Sequence, residues 1–184
     1  MVMKIKMYIL FVFSILLVNS ARSQEKLTII DKAVRFGFRP AYNRTIDAVI
    51  IHSVFNASGG DKYDVDLVIK QFSHYDVSAH YVIGRDGSIY KLVDEKNVSY
   101  QAGKSSLPDG RTAVNSCSIG IEIITSMYES PTNAQINSVV NLVNDIKRRH
   151  KIKYVLRHSD IAPGRKTDPW NMNWKDFLSR LSKD

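Results

Sequence analysis

Residues 46–52 read Ile-Asp-Ala-Val-Ile-Ile-His, a β-rich run that is apolar almost without a break. A strand with one solvated face alternates apolar and polar side chains, so a near-continuous run belongs to a central strand buried on both faces. Such a strand needs a covering layer above and below it. The chain supplies candidates for both layers. Val65, Val68, Ile69 and Phe72 recur at helical spacing and predict a helix over 64–75, with Asp64 as its N-cap. Ile136, Val139, Val140, Val143 and Ile146 predict a long helix over 133–149, closed by Lys147, Arg148 and Arg149, which suit the helix dipole. A short helix over 174–181 ends the pattern. Strands are predicted at 78–83 and 88–93, joined as a hairpin by Gly84-Arg85-Asp86-Gly87, and again at 119–124 and 153–157. This order of strands and helices predicts a single α/β domain with a central mixed sheet flanked by helices. Residues 24–45 read as an irregular surface wrap. Residues 94–115, polar and glycine-rich, read as a long loop of the functional kind.

The length of 184 residues suits one domain with a sizeable core. The N-terminus has the pattern of a signal peptide over 1–23. Lys4 and Lys6 precede an uncharged run from Met7 to Val18, and Ala21-Arg22-Ser23 offers a cleavage site. The run is shorter than the roughly 20 residues a spanning helix needs, so no stable membrane anchor is expected. The mature domain is then 24–184, in the periplasm or outside the cell, and we expect a monomer. Removing Lys4, Lys6 and Arg22 takes the formal charge from +8 to +5. That charge is compatible with acidic polymers or with ordinary solubility, and without a dense Lys/Arg run it does not indicate nucleic acid. A single cysteine, Cys117, excludes an internal disulfide, so the core or a metal must hold the fold. Cys117 precedes an apolar strand and reads as a buried or edge thiol.

Two strands deliver a histidine to their ends. His52 closes the first, and His158 follows the run Tyr154-Val155-Leu156. The second histidine opens a stretch, 157–169, that contains Pro163-Gly164 and closes with Asp168-Pro169, which reads as a loop. His158 and Asp168 supply two ligands of the kinds zinc takes, and His52 supplies a third. A catalytic zinc site uses three protein ligands and leaves one position open. Glu122, inside an apolar strand, is costly there unless it is paired or bound, although alternation also allows it a solvated face.

Four blocks carry a resemblance. They are Ala48-Val49-Ile50-Ile51-His52-Ser53; Val77-Ser78-Ala79-His80-Tyr81-Val82-Ile83 with Arg85-Asp86-Gly87; Asn115-Ser116-Cys117-Ser118-Ile119-Gly120-Ile121-Glu122; and the stretch from Arg157 to Pro169. In this order they resemble the type-2 N-acetylmuramoyl-L-alanine amidases, the zinc family related to peptidoglycan recognition proteins and phage lysozyme-amidases. The resemblance runs from about residue 46 to 170. It implies one zinc ion per chain held by His52, His158 and Asp168. It implies Glu122 as the carboxylate that activates water and Lys166 as the cation that stabilises the oxyanion. The implied substrate is peptidoglycan or its muropeptides, cut at the amide between N-acetylmuramic acid and L-alanine. In an extended stretch Lys166 and Asp168 share a face, which would set the ammonium beside the metal. The chain departs from the family in two places. Many relatives have Trp-His-Ala-Gly where this chain has Tyr100-Gln101-Ala102-Gly103, so Gln101 takes the position of a substrate-lining histidine. Ala79 stands where some phage relatives have a catalytic tyrosine, which leaves more of the acid-base work to Glu122. His80 reads either as a residue lining the substrate or as a hydrogen-bonded core histidine.

Overall fold

The structure is a computed structural model and describes residues 27–182. The signal segment expected over 1–23 lies outside the described residues. Along the chain come β1 (Ile29–Asp31), β2 (Phe38–Arg39), β3 (Ala48–Val54), α1 (Val65–His74), β4 (Tyr81–Ile83), β5 (Ile89–Lys91) and β6 (Val98–Ser99). They are followed by α2 (Val114–Cys117), β7 (Ser118–Ile124), α3 (Asn133–Arg149), β8 (Tyr154–Arg157), α4 (His158–Ile161) and α5 (Trp174–Ser179). Six strands form one sheet in the order β1-β5-β4-β7-β3-β8. β3 is parallel to both neighbours, β7 and β8, and β4 is parallel to β7. β4 and β5 form the antiparallel hairpin, so the sheet is mixed.

The run at 46–52 is buried as its composition demands: Ala48, Val49, Ile50 and Ile51 are each 0% exposed. Alternation sends Val49 and Ile51 to one face with Ile119, Ile121 and Ile123, where they pack against Val139, Val143 and Ile146 of α3 and Phe177 of α5. On the other face Ala48 and Ile50 meet Ala102, Leu107, Val114 and Ile161, so the long loop and the short α2 and α4 cover that half. Val82 and Ile124 meet Val68 and Phe72 of α1 beside them. Asp64 caps α1, its side chain accepting from the Leu67 amide. Thr132 and Gln135 form a capping box that starts α3.

Three segments differ from the sequence reading. The stretch 24–45 contributes β1, which extends the sheet edge by pairing in parallel with β5. All three β1 residues are exposed, so they carry no burial pattern to read. Within the expected loop, β6 pairs with β2 as a separate two-stranded sheet, and α2 adds a turn of helix. His158 opens a helical turn, α4, and the loop proper begins only after Ile161, where Pro163 and Gly164 stand. Among the described residues no helix is long and apolar enough to cross a membrane.

Candidate metal centre

The parallel register sets His52 opposite Glu122 and Ile51 opposite Arg157. His52, Glu122 and His158 therefore gather at the carboxyl ends of parallel strands, the edge where α/β sheets open a crevice. Because Ile51, Ile121 and Ile123 turn to α3, His52 and Glu122 turn to the opposite face. Asp168 comes from the loop after α4, tied down by the Ser159 amide donating to its backbone carbonyl at 3.0 Å.

His52 Nδ1 and His158 Nδ1 lie 2.9 Å apart. Asp168 Oδ2 is 3.1 Å from the latter and 3.6 Å from the former. All three residues are buried. The outer nitrogens are both engaged: His52 Nε2 meets Gln101 Oε1 at 2.5 Å, and His158 Nε2 meets the Ala102 carbonyl at 3.2 Å. Carbonyl oxygens only accept, so each neutral ring donates from Nε2 and keeps its lone pair on Nδ1. Two nitrogen lone pairs and a carboxylate oxygen then face one another, an arrangement that needs a proton or a cation between them. Burial pushes His52 below the ordinary histidine range; Asp168 pulls against that shift and the neighbouring His158 adds to it. Burial also disfavours a charged Asp168, yet its contacts with His158 and His52 outweigh it and hold the carboxyl far below its usual value. The three donor atoms, all within 4.8 Å of one another, fit a divalent metal ion.

Glu122 and Lys166 line the same cleft of about 380 Å³, with Phe72, Val77 and Trp170 as apolar wall. Glu122 Oε2 is buried and has no hydrogen-bond partner among the described residues. Burial pushes the Glu122 carboxyl up to about 8, Asp168 adds to the shift, and Lys166 opposes it. A carboxyl in that range exchanges protons near neutral pH, as an acid-base group must.

His80 does not line the cleft. It is 0% exposed, its Nδ1 accepts from the Gly120 amide at 3.0 Å, and its Nε2 donates to the Asn97 carbonyl at 3.2 Å. Burial, reinforced by Arg44, pushes it down to about 4, which keeps it neutral. Of the two positions the sequence allowed for His80, the structure has it in the core and outside the cleft lining. Gln101 does line the cleft, and its side-chain oxygen is spent on His52. Ala102 contributes through a backbone carbonyl, for which sequence has no signal. Gly120 did carry one: an isolated glycine inside a strand marks a close approach.

A family model described as N-acetylmuramoyl-L-alanine amidase matches residues 42–171. The 1,6-anhydro-N-acetylmuramyl-L-alanine amidase AmpD of Haemophilus influenzae is 37% identical over 109 residues, 57% of this chain and 59% of that protein. The N-acetylmuramoyl-L-alanine amidase AmiD of Escherichia coli is 33% identical over 147 residues, 70% of this chain and 50% of its own length. The chain thus spans between half and three fifths of these two curated relatives. Among solved structures, a selenomethionine derivative of AmpD superposes with a TM-score of 0.69 at 26% identity, covering 82% of this chain and 93% of that one. With the family match extending over most of the described fold and the cluster at the strand ends falling inside it, the chain belongs to the type-2 N-acetylmuramoyl-L-alanine amidase family.

Proposed function

We propose that this chain is a zinc-dependent hydrolase that cleaves the amide between N-acetylmuramic acid and L-alanine in peptidoglycan or its released fragments. The observation that carries this reading is the meeting of His52 Nδ1, His158 Nδ1 and Asp168 Oδ2 beneath a cleft that also holds Glu122 and Lys166. Two imidazoles and one carboxylate are ligands that zinc accepts in hydrolytic sites with an open position. A bound zinc ion supplies Lewis acidity, polarising a carbonyl and lowering the pKa of water. His52 and His158 serve as neutral donors, their Nε2–H groups fixed by Gln101 and Ala102. Glu122 takes the proton from the attacking water and returns it to the leaving amine of L-alanine. Lys166 faces the carbonyl oxygen as negative charge develops there. The substrate class follows the relatives: AmiD of E. coli has been solved in complex with anhydro-N-acetylmuramic acid-L-Ala-D-gamma-Glu-L-Lys, at 28% identity and a TM-score of 0.63.

The test is digestion of purified peptidoglycan and of 1,6-anhydro muropeptides by residues 24–184, with mass spectrometry of the products. Free stem peptides beginning at L-alanine are expected from at least one substrate. Intact substrates on both arms, with zinc loaded, would refute the reading.

We also place the reaction outside the cytoplasm, on the basic start, the apolar run Met7 to Val18 and Ala21-Arg22-Ser23. N-terminal sequencing of the exported protein should begin at Gln24. A cytosolic protein that still starts at Met1 would overturn this.

A further inference from the structure

We infer that Gln101 is a positioning residue whose side-chain carbonyl holds His52 with Nδ1 turned to the metal, in a space that Gly120 leaves open. The inference rests on the metal site proposed above. The amide of Gln101 is oriented by a chain of hydrogen bonds. Its Nε2 donates to Ser118 Oγ at 2.8 Å, and that hydroxyl donates onward to the Val114 carbonyl at 2.7 Å. Ser118 Oγ therefore accepts from Gln101, which leaves Oε1 for His52 and fixes which end of the amide faces the ring. The backbone is held as well: Asn115 Oδ1 accepts from the amides of Ala102 at 2.9 Å and Gln101 at 3.3 Å. The side chain lies flat on β7 over Gly120. A Cβ there would sit 2.6 Å from Gln101 Cγ and 2.9 Å from Cδ, so any other residue at 120 would displace it. One short segment thus serves both histidines, through a side chain at 101 and a carbonyl at 102. The two differ in one respect: His158 is held by backbone, whereas the partner of His52 depends on the identity of residue 101.

Partners of the outer nitrogen of a ligating histidine fix its tautomer and typically contribute 10–100-fold to metal affinity. The test compares Gln101→Leu, which keeps the bulk and loses the acceptor, with Gln101→Glu, which keeps an acceptor. Zinc affinity is read by chelator competition at fixed pH, and imidazole tautomers by nitrogen NMR in the zinc-loaded protein and after chelation. Gln101→Leu should lose about 10–100-fold in zinc affinity and show mixed tautomers at His52 after chelation, while His158 keeps its proton on Nε2. Gln101→Glu should restore the affinity to within a few-fold of wild type, and Gly120→Ala should behave like Gln101→Leu. Wild-type affinity and a single Nε2–H tautomer in Gln101→Leu would overturn the inference. So would a wild-type His52 protonated on Nδ1, whichever variants fold. A wild type that takes up no zinc would bring down the metal reading itself, and the first titration shows it before any variant is made.

Discussion

Glu122 stands between Ile121 and Ile123 on β7, and both neighbours are 0% exposed on the face toward α3. Its own face carries the cleft, and one of its oxygens has no partner among the described residues. If it moves the proton in amide hydrolysis, Glu122→Gln keeps the shape and removes the base. Turnover on a muropeptide should then fall by about 10²–10⁴ with zinc stoichiometry unchanged. Lys166→Ala should lower turnover by roughly 10²–10³. Both losses belong in kcat more than in KM, because groups in the proposed roles act as charge develops. Near-normal turnover by zinc-loaded Glu122→Gln would reduce the residue to a strand position. At this scale the sequence was informative where residue type and strand position coincide. His52 and His158 each sit at the end of an apolar run, and a carboxylate inside such a run needs a reason. Sequence was silent where the partner is chosen by the fold. Nothing in Tyr100-Gln101-Ala102-Gly103 says that the Gln101 oxygen meets His52 or that the Ala102 carbonyl meets His158.

The elements that carry the cleft were legible for a related reason. β3 is a nearly continuous apolar run, β7 turns an isoleucine to α3 at every second position, and α1 and α3 bury one stripe each, so their patterns report burial. β1, β2 and β6 are two or three residues long, and β1 is exposed throughout. Their pairing is decided by neighbours distant in sequence, which no local pattern records. The closing helix α5 shows how much one short element can contribute. Phe177 is 0% exposed and packs with Trp174 beside it at a ring separation of 5.0 Å. It fills the core face behind β3 and β7, away from the candidate metal site. Phe177→Ala should destabilise the fold by about 3–5 kcal/mol, read from urea unfolding, while the folded fraction keeps its zinc affinity. A loss under 1 kcal/mol would mean that α5 is dispensable to the core.

Across the whole molecule, one half-buried carboxylate links three parts of the fold. Glu95, 12% exposed in its side chain, accepts from Tyr81 of β4 at 2.7 Å, from Arg149 at the end of α3, and from His150 at 2.8 Å. Burial alone would raise its pKa, but the hydrogen bonds from Arg149, His150 and Tyr81 outweigh it and hold it at about 2, against an ordinary 4.5. A depressed carboxylate stabilises the fold fully above its unfolded value and loses that contribution as pH falls toward the folded one. The contribution is about 3 kcal/mol at neutral pH. Glu95→Gln should therefore be less stable than wild type at pH 7, with the gap closing between about pH 4.5 and 2. Denaturant midpoints across that range check it, and a gap that stays constant would remove the charge from the explanation. The parallel pairing of β3 with β7 and β8 has a further consequence, in time. Parallel neighbours need long crossovers, and the two histidines are 106 residues apart in the chain. At about 5–20 residues per second, His52 leaves the ribosome several seconds to some twenty seconds ahead of Asp168. If these three residues hold the ion, a nascent chain cut short before Asp168 lacks at least one of its ligands, so uptake of the ion would mark a chain made at least as far as that residue.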